Sequence, residues 1–93
     1  MNLKTNKMKK ESILPLPKWF TGQLYGGGGE VTNPFSGDSY ELNAEELSMY
    51  DFIMGSNYLM ERGQGSVKMQ NEFRKGLDWF RRSNAEAYYV LLD

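Results

Sequence analysis

The sequence predicts one small α+β domain, an antiparallel sheet packed on one face by two helices in the order β-β-β-α-α-β. Three observations predict it. The 93 residues with 40% hydrophobic content supply one core, because a chain this short buries only about 60 to 65% of its unfolded surface. Short β-prone runs separated by Gly and Asn-Pro turns occupy Trp19 to Leu42, the signature of strands and hairpins. Two longer segments with helical caps and period then follow, over residues 44–62 and 67–83, and a β-prone apolar tail closes the chain.

Taken in order, Met1 to Ser12 mixes Lys, Asn, Thr and Met without helical or strand period. Such a segment cannot bury enough apolar surface to offset its ordering entropy, so residues 1–12 are expected to form a mobile basic arm and residues 13–93 the domain. In Ile13-Leu14-Pro15-Leu16-Pro17 alternate prolines hold φ near about -65° and extend the residues before them. This strap should bring its leucines, Trp19 and Phe20 onto the core. Gln23-Leu24-Tyr25 reads as a first short strand, and the four glycines Gly26 to Gly29 as a permissive connection. Asn33-Pro34-Phe35-Ser36-Gly37 has the chemistry of a turn that links Glu30-Thr32 to Asp38-Leu42 as a hairpin. Alternation places Tyr40 and Leu42 on one face of it and Ser39 and Glu41 on the other.

Asn43, with Glu46 three residues on, forms a capping box that should start the first helix at Ala44. At 100° per residue, Leu47, Tyr50, Met54 and Tyr58 cluster on one side, while Met49, Ile53 and Met60 lie almost opposite and Phe52 and Leu59 extend that second side. An ordinary surface helix needs one apolar stripe, so a helix apolar over most of its circumference is either sandwiched inside its domain or in contact with a second chain. Gly63-Gln64-Gly65 ends it, and Ser66 caps a second helix from Val67 to about Ser83 whose apolar arc holds Met69, Phe73, Gly76, Leu77 and Phe80. Gly76 within that arc suggests close approach to another backbone. Trp79 lies off the arc, either exposed or against the strap. Asn84 is expected as a left-handed stop, and Tyr88-Tyr89-Val90-Leu91-Leu92 as a strand covered on at least one side, ending the chain in its own core.

Composition excludes several chemistries. No cysteine means no disulfide and no thiolate; no histidine removes the usual metal ligand and the side chain that titrates near neutrality. Gly26 to Gly29 lack the Gly-Lys-Ser/Thr of a phosphate loop and are followed by Glu30, which repels a phosphate. Asp38, Glu41, Glu45 and Glu46 lack calcium-loop spacing and are explained as helix-start acids. No pair of carboxylates stands out as a general acid and base, and neither Asp51 nor Glu61 is favoured over a tyrosine. We therefore expect no catalytic residue, no cofactor and no metal. No apolar run reaches the roughly 20 residues of a membrane span, and no secretory leader is evident, so a soluble cytoplasmic chain is expected.

The formal net charge of -1 hides segregation. Lys4, Lys7, Lys9, Lys10 and Lys18 face only Glu11 before Trp19, whereas Trp19 to Glu61 contains seven acids and no Lys or Arg. Cations return as Arg62, Lys68, Arg74, Lys75, Arg81 and Arg82, so the third block, or that of a neighbouring subunit, should neutralise the second.

Two functions fit this pattern. The first is a non-enzymatic protein–protein interaction module that binds a second copy of itself as a homodimer, or another protein, through the first helix, using Leu47, Tyr50, Met54 and Tyr58 or the opposite set Met49, Phe52, Ile53 and Met60. The second is nucleic-acid binding through Lys4, Lys7, Lys9 and Lys10 of the arm and Arg74, Lys75, Arg81 and Arg82 of the second helix. A net charge of -5 from Trp19 onward weighs against the second. Three stretches carry a resemblance: Leu16 to Gly22, Glu30 to Gly37 continuing through Leu42 to Phe52, and Phe73 to Arg81 followed by Ala87 to Asp93. Together they resemble short hypothetical proteins of tailed phages of marine cyanobacteria and related ocean bacteria. That resemblance implies a viral or marine source and an intracellular location, with Met1 to Ser12 as a variable addition. It confers no role on any residue.

Overall fold

The computed structural model describes residues 14–93; the expectations for Met1 to Ser12, including Lys4, Lys7, Lys9 and Lys10, fall outside them. Two strands, β1 (Gly29–Thr32) and β2 (Ser39–Leu42), precede three helices, α1 (Ala44–Glu61), α2 (Val67–Ser83) and α3 (Ala85–Leu91). The α+β class holds, but among the described residues the order is β-β-α-α-α, and the sheet is a two-stranded antiparallel hairpin.

The hairpin pairs Gly29 with Leu42, Val31 with Tyr40 and Thr32 with Ser39. Its alternation is as expected, Leu42 buried and Tyr40 half-buried, with Ser39 and Glu41 exposed. Gly37 closes the turn at φ 82°, a left-handed conformation that glycine adopts without a Cβ clash.

Asn43 Oδ1 accepts from the Glu46 amide at 2.7 Å and Glu46 Oε1 accepts from the Asn43 amide at 3.0 Å, so the box read from sequence is formed. It satisfies two donors that a helix start leaves open. Ser66 Oγ caps α2 by accepting from the Met69 amide at 3.1 Å. The core joins Leu42, Met49, Ile53, Trp79, Phe80, Ala87 and Leu91, with α1 packed along α2. Gly76 permits that approach: a Cβ there would lie 3.1 Å from Met49 Sδ and 3.3 Å from Ile53 Cγ1. Side chains of α1, rather than a backbone, occupy the space that glycine vacates.

Two expected strands are absent. Gln23-Leu24-Tyr25 forms no ladder; it runs over α1, where the Tyr25 amide donates to Ser48 Oγ at 3.0 Å. Ser48 is buried beneath this segment. Ala85 to Asp93, read as the last strand, is mostly helical. Asn84, at φ -154° and ψ 84°, is extended rather than left-handed and serves both helices: its amide closes α2 on Phe80 O, and its Oδ1 accepts from the Ala87 amide at 3.1 Å to start α3. The buried residues Ala87 and Leu91, with half-buried Tyr88 and Leu92, sit four apart in pairs, as a helix face requires. A run apolar on both strand faces is apolar on one helix face too, and packing selects between them.

The strap behaves as expected. Leu14, Leu16, Trp19 and Phe20 pack on the core, and Phe52 meets both aromatic rings at centroid distances of 5.8 and 5.5 Å. Trp79 takes the second of its two readings: it is buried, and its indole Nε1–H donates to the Pro15 carbonyl at 2.9 Å. Among the described residues no helix is long and apolar enough to cross a membrane.

Candidate interaction surface

The fold divides the eight interface candidates of α1. Met49 and Ile53 are core residues, 0% and 1% exposed, pressed against Gly76 of α2, and cannot meet a partner. The opposite set therefore does not form one outward surface. Phe52 is half-buried beneath Trp19 and Phe20, and Met60 is half-buried as well. Leu47 and Tyr50 are half-buried, whereas Met54 and Tyr58 are exposed. Arg62 covers part of Tyr58, its guanidinium carbon 5.1 Å from the ring centroid, within the range of a cation–π contact. One arc of α1, through Met49 and Ile53, is thus sandwiched inside the domain, while another, through Met54 and Tyr58, is left exposed.

Beside Met54 lies an apolar groove of about 300 Å³. Tyr50 and Met54 of α1, Phe73 and Leu77 of α2, Tyr88 of α3 and Leu92 just after it form its walls, and the turn residues Pro34 and Phe35 form its rim. Phe35 is 98% exposed. Its position is nonetheless set by hydrogen bonds: Asn33 Oδ1 accepts from the Phe35 amide at 2.8 Å, Gly37 N–H donates to Asn33 O at 2.8 Å, and Asn33 Nδ2 donates to Val90 O of α3 at 3.0 Å. One asparagine side chain therefore shapes the turn and ties it to α3. From local sequence Asn33 and Phe35 read as parts of a turn and not of a site. The missing signal was long-range, since Val90 lies 57 residues away.

A buried polar link holds the other side of the hairpin. Glu46 Oε2 accepts from Asn84 Nδ2 at 3.2 Å, so the carboxylate that caps α1 also fastens the α2–α3 junction. Nearby, the Tyr40 hydroxyl donates to Glu86 Oε1 at 2.9 Å. Burial, followed by this bond to Glu86, pushes the phenol up to about 12, because both favour its neutral form. Among the described residues no group of three Asp, Glu, His or Cys side chains could hold a metal ion.

The four cations expected on α2 do share its exposed face. Arg81 and Arg82 both bond Asp78, at 3.0 Å each, and Lys68 bonds Glu72. Among the described residues, the ion pairs of Lys68, Arg81 and Arg82 are thus made within α2 itself. Arg74 and Lys75 make no ion pair with another described residue. Compared with known proteins, the chain matches no family model, and no curated protein or solved structure matches it.

Proposed function

We propose that the protein is a non-enzymatic interaction module of the cytoplasm that self-associates through the uncovered arc of α1 and the adjoining groove. The observation that carries this reading is the continuity of Met54 and Tyr50 with the groove and with Phe35. Apolar surface that a folded chain leaves contiguous and outward-facing is the ordinary mark of a protein-binding site. Leu47 and Tyr58 extend the same arc, so a partner resting on α1 would meet all four residues of the first set.

The test is sedimentation equilibrium of the full chain over roughly 1 to 100 µM, which spans the dissociation range of modest interfaces. A weight-average mass rising from one chain toward two supports the reading. A constant single-chain mass across that range removes self-association.

A second reading has its own support in the outward face of α2, where Arg74 and Lys75 lack ion-pair partners among the described residues. Phosphates would engage those two more readily than Arg81 and Arg82, which Asp78 already holds. This reading predicts oligonucleotide binding that weakens steeply with salt. A flat titration with mixed oligonucleotides at low salt disposes of it.

A further inference from the structure

We infer that a second copy of this chain occupies the groove by inserting its Phe35, while its own groove receives the Phe35 of the first. This deepens the self-association reading and rests on it. The anchor and the socket lie side by side on one surface, because Phe35 belongs to the rim of the groove whose walls include Tyr50, Met54 and Leu92. An isologous interface requires that arrangement: one patch must carry both halves of a contact, so that a two-fold axis between them satisfies both copies.

Phe35 has the physical character of an anchor. It is 98% exposed, so association is the step that can remove its ring from water. Asn33 already holds the turn through the Phe35 amide and Val90 O, and this preorganisation reduces the entropy lost when the ring docks. Gly37 at φ 82° completes the tight turn that projects it. The ring does not fill its own socket, since it lies almost wholly outside the protein.

Phe35 insertion supplies part of the area a stable interface needs, and the adjoining arc of α1 must supply the rest. A phenylalanine contributes roughly 150 to 250 Å², so two docked rings and the socket surface they cover remove on the order of 800 Å² from water. That is about half of the roughly 1,600 Å² of a standard interface. Exposed Met54 and Tyr58 and half-buried Leu47 lie on the adjoining arc of α1 and supply further contact.

The experiment compares wild type and Phe35→Ala by sedimentation equilibrium, with thermal melting as a check on folding. Because the side chain is solvent-exposed, melting of the dilute monomer should be unchanged, while the dimer Kd rises roughly tenfold or more. A second measurement places p-benzoylphenylalanine at position 35 and photo-crosslinks a mixture of isotopically light and heavy chains. Cross-links between chains to Tyr50, Met54 or Leu92 are expected. A wild-type dimer with an equally tight Phe35→Ala dimer overturns the insertion while leaving self-association standing, as do inter-chain cross-links confined to other elements. A wild-type chain that remains monomeric removes both the insertion and the reading on which it rests.

Discussion

Of the four glycines between Tyr25 and Glu30, only one is demanded by its surroundings, and alanine substitutions separate it from the rest. A Cβ on Gly26 or Gly27 would meet nothing within 4 Å, and one on Gly29 would make ordinary contact with Leu47 Cδ2 at 3.8 Å. A Cβ on Gly28 would overlap the Leu42 carbonyl oxygen and lie 2.9 Å from Asn43 Cα. Those atoms are backbone at the end of β2 and the cap of α1, so no side-chain rotation relieves the clash. Forcing atoms into a packed site costs about 1 to 3 kcal/mol, and displacing Asn43 forfeits part of a cap worth about 1 kcal/mol. We therefore expect Gly28→Ala to lose about 2 to 4 kcal/mol of a total near 5 to 10 kcal/mol, lowering Tm by roughly 10 to 25 °C for a domain of this size. Gly26→Ala and Gly27→Ala, neither at positive φ, should be neutral or stabilising by up to about 1 kcal/mol through reduced unfolded-state entropy. Thermal and urea denaturation followed by circular dichroism measure all three. Equal losses at the three positions, or a Gly28→Ala protein that melts with wild type, would refute the steric argument.

The remaining predictions concern the packing of α1, the strap and the alkaline limb of stability. Met49→Ala should cost about 2 to 5 kcal/mol by opening the core, whereas Met54→Ala should stay within about 0.5 kcal/mol yet weaken self-association; denaturation and sedimentation together check this, and the reverse ranking contradicts the assignment. Trp79→Phe removes the bond to Pro15 O and should cost about 1 to 2 kcal/mol, with faster proteolysis within residues 14–25; unchanged digestion would mean that the strap is held elsewhere. Tyr40 has its folded pKa raised to about 12 by burial and by Glu86, so its contribution to stability is complete below the unfolded phenol value near about 10. It is lost as pH rises through about 12, because the unfolded chain releases the proton first. Tyr40→Phe should flatten this decline in melts taken across that interval, and an identical decline in both proteins would show that Tyr40 does not cause it.

The parts of the fold legible in the sequence were those set within a few residues. Asn43 with Glu46, Ser66 before Val67 and the Asn33 to Gly37 turn each satisfy neighbouring backbone groups, so three residues of context suffice. The helix boundaries at Ala44 and Val67 followed from them. Tyr88 to Leu92 was misread because an apolar run has no period to distinguish a strand from a helix, and the deciding fact was the lack of a third strand in the described sheet. Gln23 to Tyr25 was misread for a related reason, since β-prone residues form a strand only where an edge receives them. On α1, helical period identified the apolar residues correctly but could not tell Met49 from Met54.

Local chemistry was thus enough to establish the class, the hairpin, the caps and the two long helices, together with the absence of cysteine and histidine chemistry. Long-range packing settled the rest: that α2 covers Met49 and Ile53, that Trp79 holds the strap, that Glu46 reaches Asn84, and that Phe35 stands clear beside an open groove. The physical reason is distance along the chain. A cap or turn gains its free energy from adjacent residues, whereas burial depends on which of several apolar faces other segments reach, and neither hydrophobicity nor period encodes that choice alone.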